Sequence, residues 1–170
     1  MHDLSLKSLV GHDLKSALEK ATLYRALNQP EEAESICEDI LAVEPTNQAA
    51  LRMLGLAITD QLEAPYHGVE AFDHAIKVFA ALTSEYERVY HQGIAWERLG
   101  KAHLARAEGL GALTSLEHAL EHFERASALA PSGAADPILR WNRCVRLMKS
   151  NRVLQDAMDA PQSRQPGLGD

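Results

Sequence analysis

The residues best able to do chemistry in this 170-residue chain are a pair of histidines. His118 and His122 are four positions apart, so a helix would place both on one face at a spacing that can bind a metal ion. A metalloprotease motif needs Glu directly after the first His, and Ala119 stands there instead. No Cys or third His is near them in the sequence, and both histidines are expected to face solvent. We therefore predict no metal site and no cofactor.

Cysteine chemistry is the second candidate, and it also lacks support. Cys37 and Cys144 are the only cysteines, which is too few for a disulfide framework in a chain of this length. Cys37 is interpreted as a small apolar core residue. Arg143 and Arg146 flank Cys144 and would lower the pKa of its thiol. Gly109-Leu110-Gly111 is predicted to be a short turn rather than a phosphate-binding loop, so the chain is predicted not to be an enzyme.

The charge balance limits the class of partner. Lys and Arg total 17 against 24 Asp and Glu, for a formal net charge of −7. An acidic chain is a poor match for nucleic acid or for an anionic membrane, because both need a basic surface. The first residues, Met1 to Leu4, lack the basic and apolar pattern of a signal peptide, and no apolar run reaches the roughly 18 residues of a membrane span. Together with reduced cysteines, these features predict a cytoplasmic protein.

Apolar residues recur at helical spacing almost throughout the chain, and no stretch alternates like a strand. Breaks rich in Pro and Gly divide the chain into about seven predicted helices: 12–29, 30–44, 47–61, 66–82, 84–108, 113–130 and 136–156. Thr114 or Ser115 is the predicted cap of the sixth helix. The predicted organisation is an N-terminal extension at 1–12, a helical repeat domain at 13–157 and a disordered tail at 158–170.

The third predicted hairpin carries aromatic, small and proline residues at fixed spacings: Trp96, Leu99, Gly100, Ala119, Phe123, Ala126 and Pro131. This pattern resembles the signature of the tetratricopeptide repeat (TPR) family. The first hairpin resembles it less completely, through Tyr24, Ala33, Ile40 and Pro45. The second does so through Leu51, Leu54, Gly55, Ala71, Ala75 and Val78. The resemblance covers about residues 13–131 and implies an all-α, TPR-like right-handed superhelix of about three helix hairpins plus a C-terminal capping helix around Trp141.

The third hairpin departs from a regular TPR array. A regular repeat has about 34 residues, whereas this chain has about seven extra residues on each side of the helix that contains Trp96. Seven residues are close to two helical turns, so the apolar stripe keeps its face. His103 stands where the family usually has tyrosine. We expect an elongated hairpin that projects beyond the others.

In the TPR family, the first helices of successive repeats line a concave groove that holds a peptide. The corresponding positions here mix apolar and basic residues: Lys15, Leu18, Thr22, Arg25, Ala49, Arg52, Leu56, Thr59, Ile94, Glu97, Arg98, Lys101 and Leu104. The resemblance therefore implies an adaptor that binds a protein or peptide through the groove or the elongated hairpin. The mixed lining either selects a partner with acidic and apolar side chains or consists of basic side chains that are simply solvated there.

One TPR subclass clamps the C-terminal carboxylate of a chaperone with two Lys, two Asn and one Arg. At the matching positions this chain has Leu18, Thr22, Met53, Ile94 and Arg98. Only the arginine agrees, which argues against that role.

Two further charge patterns lie outside the groove. Arg140, Arg143, Arg146 and Lys149 recur every three residues on the last predicted helix. This stripe is either favourable charge near a helix C-terminus or a docking face for an acidic partner. A second set is predicted to form a solvated outer face: Glu31, Glu32, Glu34, Glu38 and Asp39. The alternative function is a structural protein that self-associates through its terminal helices around Trp141, and an enzyme that uses the paired histidines is a distant third.

Overall fold

A computed structural model describes residues 4–64 and 68–160 of the chain. These residues form a 3-10 turn, eight α-helices and no strand, which confirms the all-α class for this part of the chain. The elements are the turn Gly11–Asp13, α1 Leu14–Ala26, α2 Pro30–Val43, α3 Gln48–Asp60, α4 Val69–Ala80, α5 Glu85–Ala105, α6 Gly109–Leu129, α7 Asp136–Ser150 and α8 Arg152–Asp159. The tail predicted to begin at Met158 starts inside α8, and its residues 161–170 lie outside the described part.

The helix starts follow from local residue chemistry. Pro30 occupies the first turn of α2, where its missing N–H costs nothing. The Asn47 side chain caps α3 by accepting a hydrogen bond from the Ala50 N–H at 3.0 Å, and Ser84 accepts one from the Glu87 N–H at the start of α5. Each cap satisfies a backbone donor that the first helical turn leaves free.

The last predicted helix, 136–156, is two helices. Asn151 takes an extended backbone conformation between α7 and α8, with φ −98° and ψ 119°. Its side chain then accepts a hydrogen bond from the Leu154 N–H at 3.3 Å and so caps α8. The break lets α8 fold back against α6 as well as α7.

The predicted start of α6 is also wrong, because Gly109 to Gly111 form its first turn rather than a connecting turn. The chain reverses instead at Ala107, whose φ of 58° lies in the left-handed region. Ser115 does not cap the helix, and its hydroxyl donates a hydrogen bond to the Gly111 carbonyl at 2.8 Å. A Cβ on Gly109 would lie 3.1 Å from Cγ1 of Val153. These glycines therefore serve close packing and not chain reversal.

The helices pack in chain order, and the first helices of the hairpins also meet. Each helix from α1 to α7 contacts the next one, α1 also contacts α3, and α3 also contacts α5. The α5–α6 hairpin has 21 residues in each helix, whereas α1 to α4 have 12 to 14. The elongated third hairpin is therefore present. No helix among residues 4–64 and 68–160 is long and apolar enough to cross a membrane.

Two main clusters of buried side chains hold the stack together. The first lies among α1 to α5 and contains Phe79, and the second lies among α5 to α8 and contains Phe123. Gly55 and Gly100 permit the close helix contacts, since a Cβ on Gly55 would lie 2.3 Å from the Phe79 ring and one on Gly100 would lie 2.9 Å from Leu116. Burial of an aromatic or Leu side chain stabilises the fold by roughly 1.5–3 kcal/mol.

Candidate binding surface

A set of charged side chains crosses the four helices α1, α3, α5 and α7 and forms three neighbouring groups of ion pairs. We call it the ion-pair row, and its members are Arg25, Arg52, Asp60, Glu87, Glu97, Arg98, Lys101 and Arg140. It contains five cations and three carboxylates. The row is therefore locally basic, although the whole chain has a formal charge of −7.

Asp60 joins three helices within the row. Its Oδ2 lies 2.5 Å from Nε of Arg25 on α1, and its Oδ1 lies 2.7 Å from Nη1 of Arg98 on α5. Arg98 also donates to the Leu56 carbonyl at 2.9 Å and to the Thr59 hydroxyl. Burial lowers the pKa of Arg98 to about 10, while Asp60 opposes that shift. Arg98 therefore remains charged at neutral pH and holds α3 against α5.

Glu97 is the most buried charged residue described, since its side chain has no exposed surface. Lys101 donates to its Oε1 from one turn later on α5. Arg140 on α7 donates to its Oε2 at 3.1 Å. Burial alone would lower the pKa of Arg140, but Glu97 and a hydrogen bond with Tyr90 outweigh burial and raise it. The buried Glu97 carboxylate therefore pairs with two cations, and the partly exposed Asp60 also pairs with two.

The third part of the row connects Arg52 on α3 with Glu87 on α5, at 2.5 Å. His91 lies one turn beyond Glu87 and is buried. Its pKa is lowered, mainly by burial and further by the charges of Arg52 and Arg140. The neutral ring then carries a proton on Nδ1 and donates it to the Glu87 carbonyl at 2.7 Å. The sequence pattern does not distinguish His91 from the other histidines of the chain, because the burial of His91 depends on tertiary packing.

Only some of the predicted groove residues belong to the ion-pair row, and the others range from exposed to buried. Six of them belong to the row or bond to it: Arg25, Arg52, Thr59, Glu97, Arg98 and Lys101. The side chains of Lys15 and Thr22 are exposed, whereas Leu18, Ala49, Leu56 and Leu104 are half-buried. Thr59 and Ile94 are only 2% and 3% exposed, so neither offers a contact surface.

The four residues of the predicted basic stripe on α7 do not all face the same way. Arg140 turns inward to Glu97. The other three side chains, Arg143, Arg146 and Lys149, are exposed, and none of them pairs with an acidic residue in the described part of the chain. On α2, Glu31, Glu32 and Glu38 are exposed as predicted. Glu34 is half-buried and accepts a hydrogen bond from Gln61 at 2.5 Å, and Asp39 is also half-buried.

The prediction that the paired histidines face solvent holds only in part. The His118 side chain is 42% exposed and its Nδ1 lies 3.3 Å from Oε2 of Glu121, whereas His122 is half-buried. The His118 ring packs against Trp96 with centroids 4.6 Å apart and the ring planes tilted by 38°. The His122 ring nitrogen Nδ1 lies 2.8 Å from the His118 carbonyl oxygen. Among residues 4–64 and 68–160, no group of three or more His, Cys, Asp or Glu could hold a metal ion. In this structure the two rings contribute packing between α5 and α6.

Both cysteines are free, buried thiols. Burial, reinforced by nearby carboxylates, raises the pKa of Cys37 to about 12. Burial and the charge of Glu97 raise the pKa of Cys144 to about 12 as well. The prediction that Arg143 and Arg146 lower the pKa of Cys144 is therefore wrong. Arg143 does act in that direction, but desolvation of the thiolate outweighs it.

Comparison of the chain with models of known protein families and with curated protein sequences gives no match.

Proposed function

We propose that this protein is a TPR-like adaptor that holds an acidic segment of a partner protein along the ion-pair row. The observation that carries the proposal is the charge of the row, with five cations against three carboxylates in an acidic chain. Asp60 and Glu97 are each shared by two cations. Carboxylates of a partner would pair with the cations that are left in excess.

Spacing within the row supports a repeat array. Arg25 and Asp60 are 35 residues apart, and so are Arg52 and Glu87. That interval is close to the TPR period of about 34 residues. Each pair joins the first helix of one hairpin to the first helix of the next. The same surface of successive units would therefore face a single ligand, as in a superhelical stack.

The exposure of the row suits reversible binding. The side chains of Arg25, Lys101, Arg140 and Arg52 are between 27% and 36% exposed. Their head groups are reachable from solvent, while their carboxylate partners fix their positions. Prior ordering of such side chains lowers the entropy cost of binding. The half-buried Leu56 and Leu104 add apolar contact nearby. We expect an extended or helical ligand with several Asp or Glu residues and apolar side chains between them.

Fluorescence anisotropy with a labelled peptide of alternating Glu and Leu tests this function. Two variants, Arg52→Gln and Lys101→Gln, should each weaken binding by roughly tenfold, which corresponds to about 1.4 kcal/mol. Raising the salt concentration from 0.05 to 0.5 M should also weaken binding of the peptide to the wild type, because salt screens the ionic contacts. Circular dichroism of each variant establishes that it is folded.

Arg125→Gln is the matched control, because Arg125 is an exposed cation on α6 outside the row. Its affinity for the peptide should equal that of the wild type. Equal affinities for all three variants would refute the proposal. Affinity purification from the native cell with wild type and the Lys101→Gln variant in parallel would then identify the partner. We place the protein in the cytoplasm as part of this proposal, which the two free thiols support.

A further inference from the structure

The outer face of α7 combines exposed apolar residues with unpaired cations. Ile138 and Leu139 in its first turn are each more than half exposed. Arg143 and Arg146 follow Leu139 at i+4 and i+7, which places all three on one side of the helix. Lys149 extends the charge by one more turn. We call these five residues the tail face.

A face of opposite charge lies at the other end of the described chain. Leu23 lies on α1 and Leu27 directly follows its last residue, and both are more than half exposed. The carboxylates of Glu31, Glu32 and Glu38 on α2 are exposed, and none is ion-paired within the described part of the chain. We call the two leucines and three glutamates the head face. It matches the tail face in composition, with two large apolar side chains and three charges.

We propose that the chain associates head to tail with further copies of itself, with the tail face of one copy bound to the head face of the next. Three cations then meet three carboxylates, and four exposed apolar side chains leave water together. A symmetric dimer through either face alone would instead bring like charges together, which disfavours it. The opposite charges of the two faces therefore favour a second copy of the same chain as the binding partner of each face.

The surface beside the tail face provides room for an apolar side chain. A cleft of about 190 Å³ opens next to Ile138 and is lined by Glu124, Ser127, Ile138 and Trp141. A leucine of the head face would fit against the Trp141 ring there. The head face lies at α1 and α2, whereas the tail face lies on α7, which packs against α6 and α8. Arg25 on α1 and Arg140 on α7 belong to the ion-pair row, but they pair with Asp60 and Glu97 of their own chain. No residue of either face is a member of the row, so this inference does not rest on the proposed function.

Head-to-tail contacts of this kind form open series or closed rings, of which the smallest is a reciprocal pair. Sedimentation velocity of the full chain across a hundredfold range of concentration in low salt should show a sedimentation coefficient that rises with concentration. A coefficient that stays at the value of one chain over the whole range would overturn the proposal.

Charge reversal identifies the faces. A head variant, Glu31→Lys with Glu38→Lys, and a tail variant, Arg143→Glu with Arg146→Glu, should each raise the dissociation constant more than tenfold. Mixing the two variants should restore association, because the reversed head then meets the reversed tail and the unaltered faces still match. A chain with both faces reversed should associate like the wild type. Restored association in the mixture and in the doubly reversed chain would exclude misfolding as the reason why each single variant fails to associate.

The matched control reverses two exposed carboxylates elsewhere, with Glu117→Lys and Glu121→Lys on α6. It changes the net charge by the same amount as the head variant and should associate like the wild type. Unchanged association of the head or tail variant, or failure of the mixture to recover, would overturn the proposal.

Discussion

Glu97 on α5 and Arg140 on α7 form an ion pair at 3.1 Å, although the Glu97 side chain has no exposed surface. These two helices do not follow one another in the chain, because α6 separates them. A buried carboxylate is tolerated only when charged partners compensate for its loss of hydration. The pair therefore fixes the position of α7 relative to the long α5–α6 hairpin.

We expect Glu97→Gln to lower the free energy of unfolding by about 1–3 kcal/mol. The amide keeps the shape of the side chain but leaves Lys101 and Arg140 without their shared counter-charge. Urea unfolding measured by circular dichroism would give the difference. Glu117→Gln, at an exposed position on α6, should change the unfolding free energy little. Equal stability of the two variants would show that Glu97 adds nothing to the fold.

Gly55→Ala should destabilise the protein by about 1–3 kcal/mol or more, because the new methyl group would overlap the Phe79 ring in the first core cluster. The ring is fully buried and has no free space to move into. Gly11→Ala is the control, since its Cβ would meet no atom within 4 Å. Thermal unfolding of the two variants should therefore give clearly different midpoints, and similar midpoints would contradict the packing described.

Gly55 and Gly100 belong to the repeat-like pattern in the sequence, and both lie where two helices pack closely. The same pattern does not indicate that a small residue is needed at Gly93, where a Cβ would lie 2.8 Å from the Phe123 ring. That contact depends on how far the elongated α6 extends along α5. The break at Asn151 was missed for a related reason. A capping residue inside an apolar periodic stretch looks like an ordinary helical position until a neighbouring helix requires the turn.

The sequence indicated several cations of the candidate site, but it did not indicate which carboxylates pair with them. Arg52, Arg98 and Lys101 were identified because the resemblance to the TPR signature places them at groove positions. The i, i+4 pair between Glu97 and Lys101 can be recognised in the sequence, but Arg140 is 43 residues from Glu97. No local pattern links residues so far apart, and a buried glutamate looks the same in the sequence as a solvated one.

The buried His91 should make stability depend on pH. Its folded pKa is below its usual value, so the unfolded chain takes up a proton first as the pH falls. The stabilisation is complete above about pH 6.5 and is lost at up to about 1.4 kcal/mol per pH unit below it. Urea unfolding at pH 7.5 and 5.5 should show a larger loss for wild type than for His91→Gln. The exposed His74, changed to Gln, should leave the wild-type loss unaltered.

Both cysteines should resist thiol reagents in the native state. With pKa values of about 12, Cys37 and Cys144 are almost entirely protonated at pH 8, and the thiolate is the reacting species. A chromogenic disulfide reagent should label neither thiol quickly until urea unfolds the chain, after which two thiols per chain should react. Rapid labelling of Cys144 in native protein would contradict its burial.

Within the ion-pair row, the longest link spans the 43 residues between Glu97 and Arg140. Every other bridge along the row closes a shorter loop, and short loops cost little chain entropy. Each hairpin can thus find its partners soon after it leaves the ribosome, while the rest of the chain is still being synthesised. The order of translation is then also the order in which the helices can assemble.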